Sequence, residues 1–142
     1  MSIVSYLPFL VVVLSNTFYH VTAKSTPSTV PPFASLTVTY AVGLTASFVL
    51  HLVTSKSGNP LTEYRQIHWS AVVLGLAIVG LEAGYLLLYR SGWNISTGSL
   101  VCNAALAVIL ILVGRAFFQE NLSPSKLAGV GLCLAGLYFV NK

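Results

Sequence analysis

One carboxylate, Glu82, stands in the middle of a long apolar run from Trp69 to Tyr89, in a chain with three acidic residues in all. If that run crosses a bilayer, Glu82 lies near the midplane, where an ionised side chain costs at least about 2.5–3.5 kcal/mol on insertion scales. Such a residue is either functional or neutralised. In the first reading it faces a cavity and carries a proton or a cation. In the second it is a buried, neutral carboxylic acid that shares its proton with a nearby hydroxyl or carbonyl. The expense favours the first. Tyr85 and Tyr89 follow at i+3 and i+7, so two phenols share the helical face of the carboxylate. An acid flanked by aromatic rings suits an organic cation, because charge attraction and ring-quadrupole attraction add. A structural Glu–Tyr hydrogen bond is the competing reading of the same spacing.

Three further polar stripes accompany it. Asn16, Tyr19, His20 and Ala23 keep i, i+3, i+4, i+7 spacing and form one face of a first helix. Thr37, Tyr40, Leu44, Ser47 and His51 lie along one side of a second, and of these Tyr40 is the residue expected to matter. Ser96, Ser99 and Asn103 share a face of a fourth helix, with Cys102 beside them. Tyr19 and Tyr40 would supply ring faces and hydroxyls, while Asn16, His20, Ser99 and Asn103 would supply neutral hydrogen bonds. His20 stands near a helix end, where anchoring at the interface competes with a role in the path. Serine and threonine in membrane helices more often hydrogen-bond across helices than line a wet pathway. Cys102 and Cys133 lie in apolar runs without metal-ligand spacing and read as small packing residues.

The elements that must hold these groups follow from composition. A chain of 142 residues that is 56% hydrophobic and 7% charged, with mean hydropathy +0.84, is solvated by lipid. A span needs roughly 20 apolar residues, so the length accommodates about five and leaves no room for a water-soluble domain. The expected architecture is an all-α membrane protein forming a single transmembrane domain over 1–142, with spans at about 2–23, 33–54, 69–89, 95–118 and 126–141. The first run lacks a basic leader and is longer than a signal core, so it reads as a span. Pro31 and Pro32 mark the start of the second helix, and Trp69, Arg90 and Trp93 bracket the third as interfacial anchors. Residues 55–66 are too polar for hydrocarbon. In the last span Gly129, Cys133 and Gly136 line one side with small residues, a surface for close packing of helices and, by preference here, for a second copy.

The seven Lys and Arg are scattered singly, so the formal charge of +4 does not point to nucleic acid. With five spans, Lys56, Arg65, Arg115 and Lys126 fall on the side of the N-terminus and Lys24, Arg90 and Lys142 on the other. That bias is slight. A chain that does not declare its orientation can insert both ways, and two opposed copies would form an inverted repeat from one sequence. No nucleophile–base pair, metal-ligand cluster or phosphate loop appears, so neither an enzyme nor a cofactor is expected.

The run from Gly114 through Arg115-Ala-Phe-Phe-Gln-Glu-Asn-Leu-Ser-Pro-Ser-Lys and on to Leu137 resembles the penultimate helix, Gly-Glu-Arg-Leu-Ser-like loop and small-residue last helix of one repeat of the drug/metabolite transporter superfamily, the EamA-type unit. Phe18 to Lys24 followed by Pro32 and Phe33 resembles the first helix, its terminal Lys and the start of the second. Gln119 stands where that loop often has Gly, and Asn121 where it often has Arg. Members usually carry two repeats, so a single repeat implies one half of a ten-helix inverted-repeat transporter, acting as a homodimer and possibly antiparallel. The related small multidrug resistance branch keeps its coupling Glu eight residues before a Lys in the first helix; counting back from Lys24 lands on Asn16. That departure shifts attention to Glu82. The resemblance implies a proton-coupled exporter or exchanger of small organic solutes or cations in the cell's inner or plasma membrane. A non-transporting partner subunit or assembly factor and a flippase for lipid-linked sugars are the alternatives.

Overall fold

The computed structural model describes residues 6–55, 60–121 and 123–140. Residues 2–5 of the expected first span, Lys56, Gly58 and Asn59 of the polar linker, Leu122 of the loop motif, and Asn141 and Lys142 lie outside them. The described residues form α1 (Leu7–Ser25), α2 (Pro32–Thr54), a 3-10 segment (Pro60–Gln66), α3 (Ser70–Arg90), α4 (Ile95–Phe117) and α5 (Pro124–Val140), and contain no strand. Pro31 occupies the N-cap of α2 and Pro32 opens the helix, where a missing N–H leaves no bond unmade. By their contacts the residues divide into two units. One joins the chain up to Val21 with the chain from Ser91 onward; the other runs from Thr22 to Arg90.

In the first unit α4 packs against α5, and in the second α2 packs against α3. Three helices, α2, α3 and α4, are long and apolar enough to cross a membrane. The 19 residues of α1 are interrupted by Asn16, His20 and Lys24, and α5 has 17 residues. Among the described hydrophobic residues only Leu36, Leu86 and Tyr89 are buried, whereas Leu44, Leu76, Phe117, Leu132 and Phe139 are among many that point outward. Burial of apolar surface is worth roughly 25 cal/mol per Å² in water, so a soluble chain would not leave so much of it unused. These outward faces belong against lipid or another chain.

The hydroxyls of α2 show how a helix rich in Thr tolerates hydrocarbon. Thr37 donates to the Phe33 carbonyl at 2.8 Å, Thr39 to Ser35 at 3.1 Å, Thr45 to Ala41 at 2.8 Å and Thr54 to Leu50 at 2.7 Å. Each donor is satisfied one turn back along its own helix, so no partner helix or water is required.

The loop that carries the family-like motif is built by a helix ending. The N–H groups of Phe118 and Glu120 both donate to the Gly114 carbonyl, at 3.1 and 3.0 Å, and Gln119 between them takes φ +53°. The chain must enter the left-handed region here to turn back on α4, which is why glycine suits this position and why Gln119 is under strain. The Glu120 carboxylate lies over Gly114, where an added Cβ would come within 3.1 Å of it. On α5, by contrast, a Cβ at Gly129, Gly131 or Gly136 would meet no described atom within 4 Å. The small-residue side of α5 is therefore not consumed by packing among the described residues.

Candidate functional site

Residues of α2 and α3 line an open cavity of about 460 Å³. Thr39, Tyr40 and Gly43 contribute from α2, and Gly75, Ile78, Val79 and Glu82 from α3. The helical repeat explains the set: Gly43 follows Tyr40 by three residues, while Gly75, Ile78 and Val79 precede Glu82 by seven, four and three. The two glycines remove side chains where the helices face each other, and the space they leave is part of the cavity. Its wall is otherwise apolar, so the polar character comes from the half-buried Glu82 and Tyr40 and the exposed Thr39.

Glu82 and Tyr40 line this pocket from the two facing helices. The Tyr40 hydroxyl is buried without a full hydrogen-bond partner. A buried polar group in that condition costs roughly 1–3 kcal/mol until something bonds to it. The Thr39 hydroxyl is already engaged by Ser35. What the cavity offers a guest is therefore one carboxyl, one phenolic hydroxyl and apolar walls.

The other expected residues have separate fates. Tyr85 is half-buried and stacks on Tyr89 with ring centroids 5.9 Å apart and planes 28° from parallel. It continues the aromatic face beyond Glu82 without lining the cavity. Asn16, Tyr19, His20, Ser99 and Asn103 belong to the unit that contains α4 and α5. There Tyr19 meets His20 edge to face at 5.1 Å, His20 is buried, and Asn16 and Asn103 are exposed. Ser99 donates to the Ile95 carbonyl at 2.7 Å, which makes its hydroxyl part of the helix. Cys102 and Cys133 are free thiols, and Gly129, Cys133 and Gly136 all lie on exposed surface.

Thr39, Gly43, Gly75, Ile78 and Val79 were not singled out by sequence reasoning. Their signal was present in the heptad-like spacing around Tyr40 and Glu82, but it could be used only once those two helices were known to face each other. No group of His, Cys, Asp or Glu among the described residues is arranged to hold a metal ion.

The sequence model of the EamA-like transporter family matches residues 3–142, nearly the whole chain. Comparison with curated proteins and with solved structures finds no match.

Proposed function

We propose that this chain, which belongs to the EamA-like transporter family, is a secondary transporter of small organic solutes that binds its cargo or its coupling proton at Glu82. The observation that carries the proposal is the shared cavity of Glu82 and Tyr40, in which a carboxyl and an incompletely bonded hydroxyl face apolar walls. A carboxyl at membrane depth is costly to keep ionised without a partner. A proton relieves that cost, and so does a bound cation, but both cannot occupy one carboxylate fully at once. Competition between them is the physical basis of exchange: proton release on one side makes room for cargo, and proton uptake on the other expels it. Tyr40 donates to the carboxylate when the proton leaves and turns to the cargo when it binds.

In this proposal α1 and α5 cross the membrane with α2, α3 and α4, so that five helices form one half of the transporter. A second copy supplies the other half, with the exposed Gly129, Cys133 and Gly136 side of α5 as the packing surface. The slight charge bias permits the two copies to be antiparallel. Asn16, Tyr19, His20, Tyr85, Ser99 and Asn103 complete the path in the assembled dimer.

The test is flux. Purified protein is reconstituted in vesicles that hold a pH-sensitive dye, and small organic cations, amino acids and nucleosides are added outside in turn. The expected result is proton movement driven by at least one of them and abolished in Glu82→Gln. Solute-driven proton movement that is unchanged in Glu82→Gln would remove Glu82 as the carrier.

A further inference from the structure

A second pocket, of about 240 Å³, lies within the Thr22–Arg90 unit where α1 ends, where the following loop turns and where α3 ends. Ala23, Lys24, Thr26, Ser28, Tyr89 and Arg90 line it. Two of the six are cations, three carry hydroxyls and none is acidic. We propose that this pocket binds a phosphate-bearing anion, supplied either by the headgroup of an anionic phospholipid or by a free phosphate.

The charge count carries the argument. Lys24 Nζ donates to the Tyr89 carbonyl at 3.2 Å and lies 5.8 Å from the Tyr89 ring centroid. Arg90 Nη2 donates to the carbonyls of Val30 at 2.6 Å and Pro27 at 3.3 Å, and the Arg90 Nε is buried without a hydrogen-bond partner. These bonds pin the loop to the end of α3, and Lys24 and Arg90 themselves stand in the last turns of α1 and α3. A helix C-terminus offers only about half a negative charge, so two ends offset about one of the two positive charges. The lining holds no acid to offset the remainder. Arg90 has five N–H donors, more than its bonds to Pro27 and Val30 use, and Ser28 adds a hydroxyl. A pocket of about 240 Å³ is roomy enough to admit a tetrahedral oxyanion. Lipid phosphates lie at the level where membrane helices end, and Trp93, three residues beyond Arg90 in the sequence, is an interfacial residue type.

Thermal unfolding of the full chain in a neutral detergent tests this. One arm adds phosphatidylglycerol, with phosphatidylcholine as its control; the other adds inorganic phosphate, with chloride at equal ionic strength as its control. Because Arg90→Ala removes the loop clamp and can fail to fold, Lys24→Gln and Ser28→Ala carry the test, and Arg115→Gln, an exposed cation outside the pocket, is the reference. The expected result is a rise in Tm with phosphatidylglycerol, inorganic phosphate or both. Lys24→Gln should need roughly fivefold more ligand for the same rise, and Arg115→Gln should match wild type. A response to phosphatidylglycerol alone identifies the lipid as the source, and a response to inorganic phosphate alone identifies the free anion. No rise with either, or equal losses in Lys24→Gln and Arg115→Gln, would overturn the site.

Discussion

Glu63 and Glu82 belong to the same unit and carry the same side chain, yet their surroundings are opposite. Glu63 sits in the 3-10 segment after α2, accepts a hydrogen bond from Ser55 at 2.9 Å and pairs with His51 at 3.6 Å. His51 is in turn packed edge-on against Tyr64 at 5.0 Å. Every one of these contacts ties the end of α2 to the segment that follows. Glu82 instead faces a cavity where its neighbour Tyr40 makes no completed bond. A carboxylate whose donors are fixed within the fold is structural. One whose donor is nearby but uncommitted keeps the capacity to change partners, which is what exchange requires.

Breaking this comparison calls for the same substitution at both acids. Glu82→Gln keeps the shape of the side chain and removes its titration, so solute-driven proton movement in vesicles should disappear altogether. Glu63→Gln in the same assay should leave it in place. Equal losses in the two variants would mean that the cavity acid has no special role. Tyr40→Phe should have the next largest effect. It removes the hydroxyl that turns to the charged cargo in the proposed exchange, a bond worth about 1.5–3 kcal/mol, so the apparent affinity for the transported solute should fall roughly tenfold or more while the fold is retained. Solute titrations of the vesicle signal, alongside thermal unfolding, separate the two. An affinity unchanged from wild type would place the guest elsewhere.

How much of this was legible from sequence depends on the range of the interaction. Five helices follow from hydrophobic runs bounded by Pro, Trp and basic residues, because each signal lies within a few residues of the end it marks. Glu82 was conspicuous for the same reason, as one charge against an apolar background. Its pairing with Tyr40, 42 positions away, needed the packing of α2 on α3, which no local pattern fixes. The hydroxyl stripe is ambiguous on this point: Thr37 and Ser47 share the side of Tyr40, yet both donate to their own helix backbone, an outcome that composition cannot separate from a wet path. The meeting of Lys24 with Arg90 across 66 positions was equally beyond local reading, although each residue alone was recognisable as a helix-end cation.

Stability measurements sharpen the contrast from the side of the engaged acid. Glu63→Gln retains an acceptor for Ser55 and loses the carboxylate that lies 3.6 Å from His51 Nδ1, a contact that is an ion pair only when the imidazole is protonated. Glu63 is 39% exposed, so solvent screens the pair and the loss should not exceed about 1 kcal/mol, shrinking further as salt is added. Thermal unfolding at low and high ionic strength gives the value. A larger, salt-independent loss would show that Glu63 anchors more of α2 than its two contacts suggest.

The smallest expected effect concerns the third acid, Glu120, which like Glu63 closes a helix. Its N–H reaches the Gly114 carbonyl only because Gln119 adopts φ +53°, a conformation that costs a side-chain-bearing residue about 1–2 kcal/mol. Gln119→Gly removes that strain but also frees the unfolded chain, so the net gain should be about 1 kcal/mol or less. Gln119→Ala keeps a Cβ in the same backbone conformation and should gain nothing. A modest rise in Tm for glycine with none for alanine isolates the left-handed turn as the cause. If alanine stabilises as much as glycine, the strain belongs to the long side chain, and the ending of α4 owes nothing to backbone handedness.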